Sequence, residues 1–100
     1  MPFYIYIIEC SDGTLYTGQT NSLEERIKNH QAGKGARYTR TRLPIKLLWN
    51  IPVESRSHAL KGERYIKKHL GSSNKRRLAN GNVELRRQVK KAMKGLSAPR

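Results

Sequence analysis

The chain has 100 residues, of which 36% are hydrophobic, and a formal net charge of +14. That length fits one domain with a modest core, and the longest apolar run, Tyr4 to Ile8, falls far short of the roughly 20 residues a membrane-spanning helix needs. Cys10 is the only cysteine, which excludes an internal disulfide and a cysteine-based zinc site. The N-terminus has neither the basic start nor the cleavage site of a signal peptide, and these absences together predict a cytoplasmic protein with no membrane partner.

In chain order, Phe3 to Glu9 and Leu15 to Thr20 are β-rich and flank Ser11-Asp12-Gly13, the pattern of a hairpin. Ser22 followed by Glu25 reads as a capping box, predicting a helix from Leu23 to about Ala32 with Leu23, Ile27 and Ala32 inward. Gly33 to Arg42 is a basic, glycine-bearing loop. Ile45 to Val53 is a third strand, expected at a sheet edge because of Pro44 and Pro52. A second helix is expected from about Ser57 to Leu70, and a short one around Asn74 to Ala79. A last helix, capped by Asn82, carries Leu85, Val89, Ala92, Met93 and Leu96 at helical spacing. The whole is an α+β domain over residues 1–96, with a frayed tail over 97–100.

Charge is unevenly spread. Residues 1–25 hold four acids and no Lys or Arg, while all 21 basic residues lie from Arg26 onward, opposed only by Glu54, Glu63 and Glu84. A field this lopsided attracts a polyanion, and nucleic acid is the commonest one in a cell.

The hairpin register decides whether the tyrosines cooperate. A two-residue Asp12-Gly13 turn puts Tyr6 and Tyr16 on opposite faces. A three-residue loop with Gly13 at positive φ pairs Cys10 with Thr14, Ile8 with Tyr16 and Tyr6 with Gly18. The alternation of Tyr4, Tyr6 and Ile8 against Ile5 and Ile7 favours the second: an oily face for the core and a phenolic face with open space over Gly18.

Between Ser55 and Val83, Glu63 is the only acid among eight Lys and Arg. It shares a helix face with Ala59, Ile66 and Leu70, whereas Lys61, Arg64, Lys67 and Lys68 point away. A carboxylate on a packing face needs a partner. That partner is either a cation such as Arg26 or Lys28, or a Mg²⁺-like ion that keeps several waters. Arg26 and His30 lie on one side of the first helix. Arg26 suits phosphate as a planar fork, or else pairs with Glu25 or Ser22. His30 is a proton carrier, a phosphate donor or a helix C-terminal cation.

Taken together, these residues resemble the GIY-YIG nuclease superfamily, in its small single-domain bacterial branch (UPF0213-like). Tyr4-Ile5-Tyr6 stands for the first tripeptide, with Tyr4 replacing glycine, and Tyr16-Thr17-Gly18 for the second. Leu15 to Thr20, Arg26, His30, Gly33 to Thr39 and Ala59 to Glu63 extend the likeness, which covers roughly residues 3 to 80. It implies a small three-stranded antiparallel sheet flanked by helices.

The resemblance also implies an activity, a metal-dependent endonuclease cutting phosphodiester bonds in DNA and linked to repair or recombination. In that scheme Tyr6 is the general base or its hydrogen-bond relay, Tyr16 supports the attacking water, Arg26 neutralises phosphate charge, His30 assists, and Glu63 binds one Mg²⁺ or Mn²⁺. Asn74 is the nearest match to a supporting asparagine. Lys34, Arg37, Arg40 and Arg42 are expected to contact the DNA backbone, which specifies little sequence. RNA fits the same charge, and cutting both strands would call for a homodimer or a protein partner. The competing reading is a non-catalytic nucleic-acid-binding protein of the same fold.

Overall fold

The middle of the sheet is β1 (Phe3–Glu9), with β2 (Leu15–Thr20) on one side and β3 (Lys46–Val53) on the other, both antiparallel to it. The computed structural model describes residues 2–94. The expected frayed tail at 97–100, and Leu96, lie outside the described residues. The hairpin has the three-residue loop: Gly13 has φ 84°, the Cys10 amide donates to Thr14 O at 2.8 Å, and Tyr6 faces Gly18. β3 is an edge strand, as its prolines require. Its pairing with β1 shifts between Ile7 and Ile8, so that Trp49 faces Ile7 and Leu47 faces Ile8. That irregularity lets Leu48 and Trp49 both pack against the Ile5–Ile7 core while Leu47 joins Ile8.

Five helices cover the sheet: α1 (Leu23–Gln31), α2 (Arg37–Arg40), α3 (Arg56–His69), α4 (Ser72–Ala79) and α5 (Val83–Met93). The two faces of β1 feed separate cores. Ile5 and Ile7 pack with Ala59, Ile66, Leu78, Val89 and Met93, while Tyr6 and Ile8 pack with Cys10, Ile45 and partly buried residues of α1. Ile5, Ile7 and Ile8 have no exposed surface, each worth about 1.5–3 kcal/mol of burial. Gly62 brings α3 against the sheet, because a Cβ there would collide with Ile5 and with Met93 of α5. Among the described residues no helix is long and apolar enough to cross a membrane.

Several local expectations change. The Ser22 side chain makes no capping bond; its amide donates to Thr20 Oγ1 instead, at 3.0 Å. Glu24 and Glu25 in the first turn are left to complement the helix dipole. Ala32 is exposed, and the residue that α1 buries is His30. The basic loop contains α2, whose Thr39 is fully buried. α4 begins at Ser72, and Arg76 ties it to the hairpin through Glu9 and Gly13 O. Gln31 pins the end of α1 to the chain entering β3, exchanging two 2.9 Å hydrogen bonds with the Ile45 backbone.

Candidate active site

The phenolic face of the hairpin lies under α1 and α2. Tyr6 points from the centre of β1 into a layer where His30 arrives from α1 and Thr39 from α2. Tyr6 Oη and His30 Nε2 are 3.0 Å apart, and His30 Nδ1 and Thr39 Oγ1 are 2.8 Å apart. Thr39 Oγ1 also lies 3.1 Å from Ala36 O. A carbonyl only accepts, so the single Thr39 hydroxyl proton goes to Ala36 O. Thr39 Oγ1 therefore accepts from His30 Nδ1–H, and His30 Nε2 is left to accept from the Tyr6 phenol. The chain of bonds fixes both the imidazole tautomer and the direction of donation. All three side chains are completely buried.

Two glycines make the arrangement possible. A Cβ at Gly18 would lie 2.5 Å from the Tyr6 hydroxyl, and one at Gly35 would come within 2.7 Å of His30 Cγ. The open space expected over Gly18 is thus taken by the Tyr6 ring itself. Gly35 does the same for His30 from the loop between α1 and α2.

Burial sets the protonation states. It pushes the Tyr6 phenol above its usual 10.0, although the Arg26 guanidinium beside it pulls the other way. Burial, with Arg26 again nearby, holds His30 below 6.5. His30 is therefore a neutral acceptor at neutral pH and not the helix-terminal cation that its position allows. Arg26 has a buried Nε with no hydrogen-bond partner among the described residues. A donor left unpaired there marks a place where an anion would be welcome.

Tyr16 is half-buried on the same face. Its ring lies 6.5 Å from that of Tyr6 and 5.5 Å from that of His30, and it stacks on Tyr38 at 6.1 Å. Glu63 approaches from α3, a helix of the opposite layer that packs along β2, the free edge strand on this side. The carboxylate is close enough to raise the Tyr6 phenol further. Its ion-pair partner is neither Arg26 nor Lys28 but Lys67, one helical turn on, at 2.8 Å. Lys67 does not point away: its ammonium lies 5.7 Å from the centre of the Tyr16 ring.

The remaining candidates are dispersed. Lys34, Arg37 and Arg40 are exposed around α2. Arg42 is engaged internally, donating to Asp12 and to Tyr38 O while lying 4.0 Å over the Tyr38 ring. Asn74 sits half-buried in the first turn of α4, with no side-chain hydrogen bond among the described residues. Thr39 and Gly35 fall in the stretch Gly33 to Thr39 that carries the resemblance but are given no role there, and the sequence gives none to Lys67 or Lys75. Only Lys67 carried a local signal, the i,i+4 spacing from Glu63; the others matter through contacts made across the fold.

Among the described residues no three His, Cys, Asp or Glu side chains gather. Glu63 is a lone carboxylate with 17% of its side chain exposed. That donor set fits a hard ion that keeps most of its waters and borrows oxygens from a phosphate, and it does not fit a closed site built of protein ligands.

The sheet, the paired tyrosines, the helix arginine and the lone carboxylate all fall within one segment that a single family of catalytic domains covers. Residues 2–77 match the GIY-YIG catalytic domain, and the chain belongs to that family of nucleases, whose substrates are nucleic acids. It is 49% identical over 67 residues to a UPF0213 protein of Streptococcus agalactiae, covering 67% of this chain and 76% of that one. A UPF0213 protein of Bacillus licheniformis is 47% identical over 74 residues, 74% of this chain and 75% of the relative. Two solution NMR structures are similar. The UPF0213 protein from Bacillus halodurans has TM-score 0.51 and 42% identity, and a protein from E. faecalis has 0.56 and 34%. Each covers 80% of this chain and 84% of its own.

Proposed function

We propose that this protein is a divalent-metal-dependent endonuclease that hydrolyses phosphodiester bonds in DNA, selecting for DNA structure and acting in repair or recombination. The observation that carries the reading is the directed Tyr6–His30–Thr39 hydrogen-bond chain beside the unpaired Arg26 Nε, with one carboxylate across the strand edge.

In this reading the attacking water loses a proton to the Tyr6 oxygen as Tyr6 passes its own to His30 Nε2. Net, the imidazole is the proton acceptor and Tyr6 the relay, so no free phenolate has to form, and the imidazolium that burial opposes is stabilised by the anionic phosphate that enters with the water. The water oxygen bonds to phosphorus, the bond to the leaving sugar oxygen breaks, and that oxygen takes a proton from solvent. Arg26 donates to the phosphoryl oxygens as charge develops on them. Tyr6 has no exposed surface, so the half-exposed Tyr16 ring must give way as substrate enters, and its phenol then orients the water. A divalent ion held by Glu63 would supply Lewis-acid neutralisation of the phosphate.

The test is incubation of the pure protein with branched, flapped, nicked and linear DNA, with Mg²⁺ or Mn²⁺ and with chelator, alongside Glu63→Gln. Cleavage is expected with metal only, and Glu63→Gln should lose it while melting normally. The full burial of Tyr6 favours one other reading, a DNA-binding protein without catalysis. That reading is the outcome if every substrate is bound and none is cut under any metal.

A further inference from the structure

We propose that Lys67 is a resident counter-cation that competes with the divalent ion for Glu63 and is drawn off by the incoming phosphate. The inference rests on the reading of Glu63 as the metal ligand. In the structure the Lys67 ammonium already lies 2.8 Å from a Glu63 carboxylate oxygen, occupying the carboxylate that the ion would use.

Three features make it an exchangeable occupant and not a fixed structural pair. The Lys67 side chain is 48% exposed, so it can leave the carboxylate for solvent without opening the core. It stands over the Tyr16 ring at the mouth of the candidate site, where a scissile phosphate would enter. A second positive charge acts on it from α4: Lys75, a half-buried lysine whose ammonium is disfavoured first by burial and then by the charge of Lys67. That repulsion between two like charges is relieved when a phosphate pairs with Lys67. Of the other charged groups nearby, Arg64 and Lys68 are exposed on the same helix and add positive potential. Arg26 faces Tyr6 from α1 and has no carboxylate partner in the described residues.

Two occupancies of the same carboxylate follow. Without substrate, Lys67 neutralises Glu63 and keeps metal affinity low. With substrate, the phosphate takes Lys67 and supplies oxygens to the ion, so ion and DNA are acquired together. Metal binding in the absence of DNA is therefore held down by this one side chain.

The experiment is titration of the DNA-free protein with Mn²⁺, read by paramagnetic broadening of the Tyr16 ring resonances, in wild type, Lys67→Met, Lys67→Arg and Glu63→Gln. Lys67→Met is expected to bind Mn²⁺ about fivefold to twentyfold more tightly, the effect of deleting one positive charge within about 5 Å of a bound cation. Lys67→Arg should stay close to wild type, and melting temperature should be nearly unchanged in both. If Glu63→Gln abolishes the broadening but Lys67→Met does not strengthen it, the counter-cation role is wrong and the metal reading stands. If broadening is absent from every variant, or persists in Glu63→Gln, the metal reading itself falls and the proposal with it.

Discussion

Tyr6 and His30, 24 residues apart in the chain, are joined by a fully buried hydrogen bond of 3.0 Å in which the phenol donates to Nε2. The direction follows from Thr39, which holds the other ring nitrogen. Neither partner is exposed to solvent, and in the proposed mechanism this pair carries the proton.

Tyr6→Phe should retain the fold and lose cleavage. Leaving His30 Nε2 without its donor costs about 1–3 kcal/mol, a clear fall in melting temperature short of unfolding. Removal of the relay should lower kcat by about 10²–10⁴, the usual contribution of a positioned proton-transfer group. A variant cutting at the wild-type rate would exclude Tyr6 from the chemistry.

Thr39 acts through His30, and its variants separate positioning from packing. Thr39→Val keeps the volume but removes the acceptor for Nδ1–H, so the neutral ring should populate its other tautomer, visible in ¹⁵N chemical shifts. Cleavage should fall about tenfold or more with it. Thr39→Ser restores the oxygen and should rescue both readouts. Unchanged nitrogen shifts in Thr39→Val would mean that the tautomer is set elsewhere.

Gly18→Ala and Gly35→Ala each drive a methyl into the pair, one against Tyr6 and the other against His30. Overpacking of this kind typically costs about 1–3 kcal/mol, and here it also breaks the 3.0 Å bond. Both variants should lose stability and activity together. Gly71→Ala, with open space around its Cβ position, is the control for added volume: it should leave activity unchanged and cost at most about 1 kcal/mol, the preference for Gly over Ala at the N-cap of α4.

Acid should destabilise the protein through His30. Its folded-state pKa is depressed below 6.5, so below that value the unfolded chain binds a proton that the folded chain resists. Stability therefore falls as pH drops through about 6.5 toward the folded value. Tyr6 has the opposite shift, so its contribution is lost as pH rises above 10.0. Denaturation of wild type and His30→Gln at about pH 7.5 and about pH 5 checks the acid limb. The wild type should lose more stability on acidification than the variant, and parallel losses would assign the effect to other groups.

DNA affinity should fall steeply with salt, by about 10³ or more between about 50 and 200 mM if six or more phosphates are neutralised. Arg40→Ala should weaken binding to all sequences alike. Arg42→Ala should differ, lowering melting temperature as well, because Arg42 braces Asp12 and Tyr38. Affinity flat across that salt range would remove the polyanion reading.

Much of this was written locally in the sequence. The alternation of Tyr and Ile in Phe3 to Glu9, the Ser-Asp-Gly loop, the prolines before and within the third strand and the Asn82 cap each act over a few residues. Strand period, turn chemistry and helix start depend on nearest neighbours, so a linear chain displays them. The basic field from Arg26 onward is likewise a matter of composition.

What only the tertiary structure decided lies in contacts between distant segments. His30 reads equally as a proton carrier, a phosphate donor or a cation at a helix end until α2 folds over it and burial disfavours its charge. Thr39 is an ordinary loop threonine until its oxygen meets His30. A helix face gives Glu63 a direction but not its neighbours, and the structure supplies Lys67. The physical reason is common to all three: desolvation and hydrogen-bond pairing depend on which groups exclude water from which others. Those are distances through space that residue spacing along a chain does not encode.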